Sequence, residues 1–481
     1  MKLSALLKAI SYENAIGSTD IEITGLTFDS RNVKQGNIFF ANSGSSVDGH
    51  NFIDSAIEHG ASAVVHEKSP QVYHEGVTYI QVDNSNYALG LMANVWYGFP
   101  SKSVILVGVT GTNGKTTIAT LLYKLTRGLG YKAGLLSTVC NYIDDKAVAA
   151  THTTPDALEL NGLLRQMVDE GCKYVFMEVS SHAADQDRIA GLEFDGGIFT
   201  NLTRDHIDYH KTFENYLHAK QKFFNILPKT AFAVTNLDDK NGLIMTQNCK
   251  ARVVTYSGTS PADYKGTIIE QDFDGMLLNL NHREVFVQLV GRFNLSNLLA
   301  IYASARELGF DNDEVLRVMS TLTSVNGRFQ PLRSSKGWTA IIDYAHTPDA
   351  VTNVINTINS IRKQGSRLIT VVGCGGNRDK GKRPIMAQQA SQGSDQLVLT
   401  SDNPRQEDPN DILNDMLEGL NDDERRRTIV ITDRREAIKT ACIMAQKDDV
   451  VLVAGKGHED YQIIGKTKQH FDDHEEVAKF L

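Results

Sequence analysis

One stretch of this 481-residue chain has residue types and spacing suited to phosphate chemistry: Val107-Gly108-Val109-Thr110-Gly111-Thr112-Asn113-Gly114-Lys115-Thr116-Thr117. Glycines let backbone N–H groups approach phosphate oxygens, and a helix beginning there adds its positive end. In such a loop Lys115 reaches the terminal phosphates and the Thr116 hydroxyl meets Mg²⁺, so the chemistry expected is ATP binding. The general pattern asks for glycine five positions before Gly114, and Val109 stands there instead. A carboxylate at the end of an apolar run, Glu178 after Tyr174–Met177, suits a hard cation. Lys220 falls on the apolar stripe of a helix expected over 213–227, with Phe213, Tyr216, Leu217, Phe223, Phe224 and Leu227. An inward lysine loses proton affinity and offers a neutral, reactive amine. The segment Asp205-His206-Ile207-Asp208-Tyr209-His210 is dense in possible ligands and reads equally as a solvated loop.

These residues need elements to hold them. Val104–Val107 reads as a buried strand, 116–129 as a helix closed by Gly130, and 157–170 as a helix leading into the strand before Glu178. Gly98-Phe99-Pro100-Ser101 punctuates the chain, and a second break falls near Arg328-Phe329-Gln330. The breaks divide the chain into 1–101, 102–329 and 330–481, a three-domain α/β protein. Beyond the second break, strands expected at 339–344, 367–372, 396–400, 428–432 and 450–454 alternate with helices, which implies a mostly parallel sheet covered on both faces. Ligands bind beyond the carboxyl ends of such strands. Asp343, Gly373 to Arg378, Asp402 to Arg405 and Gly455 to Glu459 all fall there.

A net charge of -9 argues against nucleic-acid or membrane-surface partners, both polyanionic, while leaving room for a small anionic substrate. The five cysteines are dispersed, as in a reducing compartment. Lys8 interrupts any early apolar core, and no apolar run approaches a membrane span, so a cytoplasmic location is expected.

The loop Thr110–Thr117, lacking the first glycine, resembles that of the Mur ligases. The resemblance continues through Phe28-Asp29-Ser30-Arg31, Thr153-Thr154-Pro155, Glu178-Val179-Ser180-Ser181-His182 and Asn201-Leu202-Thr203-Arg204-Asp205-His206. It extends further through Asn294-Leu295-Ser296-Asn297, Gly327-Arg328, Asp343 to Pro348 and Asp402-Asn403-Pro404-Arg405. It implies an N-terminal UDP-binding domain, a central ATPase domain and a Rossmann-like C-terminal domain. It implies that Lys220 is carbamylated and, with Thr116 and Glu178, helps hold Mg²⁺, while His206 lies beside the phosphates. Lys115, Glu178, His206 and Lys220 form the implied catalytic set. Gly111, Thr112, Asn113, Gly114, Lys115, Thr116 and Thr117 bind ATP, together with Asn297 near the adenine, Arg328 at the phosphates and Asp343 at the ribose. The nucleotide-sugar peptide is assigned to Phe28, Asp29, Ser30, Ser45, Ser46, Val47, Thr153, Thr154, Ser180, Gln186 and Arg188.

The same resemblance implies a reaction: a D-glutamyl carboxylate of UDP-MurNAc-L-Ala-D-Glu is activated by ATP as an acyl phosphate and joined to an amine. The family divides on that amine. Arg405 favours meso-diaminopimelate, whose second carboxylate lysine lacks, with Arg378, Asp402, Asn403, Pro404, Gly455 and Glu459 completing the pocket. L-Lysine as the third substrate, a folylpolyglutamate-synthase-like ligase and a nucleotide-dependent switch are the competing readings. A monomer is expected.

Overall fold

A computed structural model describes residues 1–44 and 47–481. The first sheet orders Asn14–Ile16, Thr78–Gln81, Ala61–His66, Asn37–Phe40 and Gly25–Thr27, parallel except for its first strand. Helix Ser85–Trp96, started by Asn84 accepting from Tyr87 N–H, packs Leu89 and Met92 onto Ile38, Phe40, Val65 and Ile80. The break expected near Gly98 is a turn of 3-10 helix, Pro100–Ser103, entered through Phe99 in the left-handed region.

The central sheet has eleven strands. Its parallel run is Arg252–Ser257, Phe232–Asn236, Gly196–Phe199, Ile105–Thr110, Tyr174–Glu178 and Ala133–Leu136. Antiparallel pairs extend both edges, a feature absent from the sequence expectation. At one end Tyr264–Asp272, which joins Arg252–Ser257 in parallel, turns back into Gly275–Leu280 and Arg283–Val287; Asn141–Ile143 and Lys146–Val148 lie at the other. Side chains alternate across a strand, so Val107, Val109 and Phe176 enter one core while Leu106, Val175 and Met177 enter the other. Register sets Glu178 beside Val109 and Phe199 beside Thr110, which brings three strand ends to one edge of the sheet. Gly108 lets Phe223 come close, since a Cβ there would stand 2.5 Å from that ring. That approach seats helix Phe213–Asn225, and with it Lys220, under the loop.

The last sheet orders Gln330–Arg333, Thr339–Asp343, Val450–Ala454, Leu368–Val372, Gln396–Leu399 and Thr428–Val430, with only its first strand antiparallel. A hairpin, Tyr461–Ile464 with Thr467–His470, follows. Arg434 and Asp473 form a fully buried pair, and Arg434 also donates to the carbonyls of Ser401 and Ala454. Those are the last residues before Asp402 and Gly455. Among the described residues no helix is long and apolar enough to cross a membrane.

Candidate active site

The phosphate loop runs from strand Ile105–Thr110 into helix Lys115–Gly128, one residue earlier than the spacing predicts. Gly111 (φ 149°) and Gly114 (φ 89°) turn the loop, and a side chain at Gly111 would overlap Thr200. The loop is stitched to the neighbouring strand end: Thr112 N–H donates to the Asn201 carbonyl (2.8 Å), Asn113 N–H to Asn201 Oδ1 (2.9 Å), and the Thr200 hydroxyl to the Asn113 carbonyl (2.6 Å). Lys115 Nζ folds back onto the carbonyls of Gly111 (2.9 Å) and Thr112 (2.8 Å). Burial pushes its pKa below the usual lysine value, against the opposing charges of Glu178 and Asp205.

Lys220 does not reach the helix edge; it is 1% exposed. Its Nζ donates to the Gly111 carbonyl at 2.8 Å and lies 4.8 Å from the centre of the Tyr216 ring. Burial, and then the charge of Lys115, hold its amine well below the usual lysine pKa. Glu178 is the last residue of its strand rather than the residue after it; it is equally buried, and its Oε1 accepts from Thr138 N–H at 2.8 Å. Among the described residues no group of three His, Cys, Asp or Glu side chains is arranged to hold a metal ion. A Mg²⁺ ion prefers oxygen. Glu178 and the Thr116 hydroxyl fit that preference, and an ammonium at Lys220 does not. Carbamylation would turn that cation into a carboxylate, so the donor set fits the ion once the lysine carries CO₂.

His206, in the left-handed region at φ 54°, presents Nε2 3.4 Å from Asp205 Oδ2, with His346 Nε2 4.0 Å from the same oxygen. Burial works to raise Asp205, but His206, His346, Lys382 and Lys115 hold it down at about 2. His206 packs edge-on against His182, which also contacts Tyr209 and His210. His210 is buried, its Nε2 2.9 Å from the Ser181 hydroxyl, and burial pushes its pKa down to about 4.

Arg328 bridges to the C-terminal sheet. Its Nη2 donates to Thr116 Oγ1 at 3.2 Å, and its guanidinium lies 4.4 Å from the Tyr344 ring centre. Asp343 spends both oxygens on backbone, accepting from Phe329 N–H (2.6 Å) and Ala345 N–H (2.7 Å), so it fixes the joint between the sheets. Gly327, at φ 67°, lies against the backbone of Gly457 and His458. Asn297, on helix Arg292–Glu307, sets its Oδ1 against Gly114. Lys115, Thr116, Glu178, His206, Lys220, Asn297, Arg328 and Asp343 all line one cleft of about 510 Å³. Tyr216, Arg292 and His346 line it too and were missed by sequence reasoning; Tyr216 and His346 lie inside stretches already singled out, while Arg292 had no signal.

Thr153, Thr154 and Ser180 adjoin this cleft. Thr153 Oγ1 accepts from Thr138 (3.1 Å), and Thr154 Oγ1 donates to the Glu178 carbonyl (2.7 Å) and accepts from Ser180 N–H (3.1 Å). Arg188 donates to the Thr154 carbonyl (2.8 Å) and to Gln186 Oε1 (2.7 Å), so these residues form one patch. In the first domain Phe28 and Val47 are exposed, Ser30 is buried, and Asp29 caps the turn Ser30–Asn32. Ser45 and Ser46 lie outside the described residues.

The second cluster sits at the strand ends of the last sheet. Arg405 Nη1 donates to the Gly376 carbonyl at 2.9 Å, and its pKa is lowered by burial and by the neighbouring charge of Arg378. Among the described residues the Arg378 side chain makes one hydrogen bond, a long one to the Asn377 carbonyl. Opposite them are Asp402, Asn403 and Glu459; Asn403 Nδ2 donates to Glu459 Oε2 at 2.9 Å, and Gly455 lies against Asp402 Oδ2. Burial, then the charge of Asp402, raises Glu459. Pro404 is buried and turns the segment between Asn403 and Arg405. Arg204–Asp379 (3.3 Å) and Asn113–Asp349 (3.3 Å) tie this sheet to the central one.

Family models cover three successive stretches: Mur ligase family, catalytic domain, over 22–97; Mur ligase middle domain over 109–305; and Mur ligase, glutamate ligase domain, over 327–457. The chain is 58% identical over 481 residues to a UDP-N-acetylmuramoyl-L-alanyl-D-glutamate–2,6-diaminopimelate ligase of Bacteroides fragilis, covering 100% of this chain and 99% of that one. It is 51% identical to the enzyme of the same name from Cytophaga hutchinsonii, over 100% and 99% of the two chains. A solved structure of a ligase of that name matches with a TM-score of 0.70 at 34% identity, over 99% and 98%. A folylpolyglutamate synthase of Mycobacterium tuberculosis complexed with ADP and AMPPCP shares the fold alone, with a TM-score of 0.63 at 17% identity over 77% of this chain and 93% of that one. A phosphate loop without its first glycine, joined end to end with relatives of one name, leads to one conclusion: the chain belongs to the Mur ligase family.

Proposed function

We propose that this chain is an ATP-dependent ligase that joins meso-2,6-diaminopimelate to the D-glutamate of UDP-MurNAc-L-Ala-D-Glu, releasing ADP and phosphate, in the synthesis of peptidoglycan precursors. The observation that carries the third substrate is the charge pattern of the C-terminal pocket. The guanidinium of Arg405 has that of Arg378 as a neighbour and lies within the charge of two carboxylates, Asp402 and Glu459. Diaminopimelate's far end is a carboxylate and an ammonium on one carbon, which matches that pattern; lysine's far end is an ammonium alone. A site built around a partly buried arginine discriminates against a ligand that leaves it unpaired.

In the first step a D-glutamyl carboxylate oxygen attacks the γ-phosphorus of ATP, the bond to the β–γ bridging oxygen breaks, and ADP leaves. Lys115, Arg328 and the loop N–H groups receive charge on the transferring group. Thr116, Glu178 and a carbamylated Lys220 would hold Mg²⁺, which would offset phosphate charge. His206 orients the same edge of the cleft. In the second step the diaminopimelate amine attacks the acyl carbon, loses a proton, and expels phosphate. Thr153, Thr154, Ser180, Gln186 and Arg188 hold the peptide end of the nucleotide sugar, with Phe28, Ser30, Ser45, Ser46 and Val47 at its UDP end. Asn297 and Asp343 border the nucleoside. Closure of the C-terminal domain over the cleft excludes water from the acyl phosphate. The three sheets support a division at 1–101, 102–329 and 330–481, and we assign a cytoplasmic monomer.

The test is phosphate release and product mass with ATP, Mg²⁺ and UDP-MurNAc-L-Ala-D-Glu, with meso-diaminopimelate or L-lysine in parallel. Turnover with diaminopimelate alone is expected. Preference for lysine would overturn the role of Arg405, and turnover with neither would overturn the ligase reading.

A further inference from the structure

Lys456 is fully buried in the wall of the C-terminal pocket. A buried ammonium requires both counter-charge and hydrogen-bond acceptors. Lys456 finds them in Glu459 Oε2 at 3.2 Å and Asn403 Oδ1 at 3.3 Å, with the Tyr461 ring 5.4 Å away. Asn403 closes the circuit. Its Nδ2 donates to the same Glu459 oxygen at 2.9 Å, and its Oδ1 also accepts from Ile463 N–H at 2.9 Å. Glu459 Oε2 therefore carries two donors, while Oε1 makes no hydrogen bond among the described residues. Asp402 is arranged similarly: Oδ1 accepts from Asn403 N–H at 2.6 Å, and among the described residues Oδ2 takes no donor. One oxygen of each carboxylate is thus anchored and the other left available. The charge of Asp402 works against ionisation of Glu459, and Lys456, bonded directly to Glu459, opposes that effect.

We infer that Lys456 is a positioning residue for the amino-acid substrate: through Glu459 and Asn403 it fixes the carboxylate that receives the substrate's far ammonium. Lys456 does not line the cleft around the phosphate loop. This inference rests on the reading of Asp402–Arg405 and Glu459 as the amino-acid pocket, and the experiment separates the two.

Steady-state constants for all three substrates are measured for wild type, Lys456→Met, Lys456→Gln, Glu459→Gln and the double variant Lys456→Met/Glu459→Gln. Glu459→Gln tests the pocket: a KM for diaminopimelate unchanged from wild type would sink that reading, and with it the role of Lys456. With the pocket upheld, Lys456→Met is expected to raise the KM for diaminopimelate tenfold or more, leaving the KM for ATP and for the nucleotide sugar within twofold. The double variant is expected to be little worse than Glu459→Gln, because both changes remove the same contact. Lys456→Gln keeps a donor without the charge and should fall between wild type and Met; it carries the test if the Met variant does not fold. Equal loss for all three substrates, or fully additive effects in the double variant, would overturn the positioning role.

Discussion

Near the phosphate loop, Lys115 and Lys220 donate to carbonyls of that same loop, so the backbone that binds phosphate also holds the cations around it. In the C-terminal pocket, by contrast, side chains hold one another: Lys456, Asn403 and Glu459 form a closed ring contributed by two strand-end loops. A backbone-anchored site keeps its shape when one side chain is changed and loses only that side chain's chemistry. A ring of side chains loses its shape when any member goes. The first kind suits a phosphate group common to many enzymes, and the second suits an amino acid that must be told from its analogues.

The comparison is broken most severely at Lys115. Lys115→Met should lower kcat by about 10³-fold, the scale of removing a charge-stabilising donor, with the melting temperature little changed; phosphate release and calorimetry together check this, and a large fall in melting temperature would contradict backbone anchoring. Lys220→Met comes next, with a loss of about 10²-fold in turnover while ATP binding, followed by titration calorimetry, survives. Methionine fits the buried stripe, so a variant with near-normal turnover would remove Lys220 from the chemistry. Arg405→Lys is expected to raise the KM for diaminopimelate by about tenfold, as for one charged hydrogen bond. The KM for ATP should stay unchanged, and the preference over L-lysine should narrow.

The smallest effect concerns pH. The folded state holds His210 neutral down to about 4, whereas the unfolded chain protonates it near 6.5. The unfolded state therefore binds the extra proton between those values, and stability falls as pH drops through that window. Melting curves should show the fall in wild type and a shallower one in His210→Gln. Identical slopes would mean that His210 is not held neutral by its surroundings.

Legibility followed the same division. The phosphate loop was readable because its glycines, lysine and threonine are consecutive, and Lys220 because helical spacing fixes which residues face inward. Strand-end positions of the C-terminal sheet were readable from alternation alone. What the sequence withheld was pairing across distance: Asn201 with Asn113, Thr138 with Glu178, Lys456 with Asn403. The edge strands from 264 to 287 also escaped, because half-exposed antiparallel strands lack the continuous apolar run that marks a parallel core. Asp343 was legible as a cleft residue, but its second use, bracing the joint through Phe329 and Ala345 N–H, is visible only once those residues stand beside it.

The close seat of Gly327 against Gly457 and His458 limits what position 327 can be. Its φ of 67° lies in the left-handed region, and a Cβ there would stand 2.1 Å from the His458 nitrogen. Even alanine would therefore part the segment leading to Arg328 from the turn that carries Lys456 and Glu459. The glycine works as a fastener: its missing side chain lets the phosphate-loop cleft and the C-terminal pocket be built as one piece.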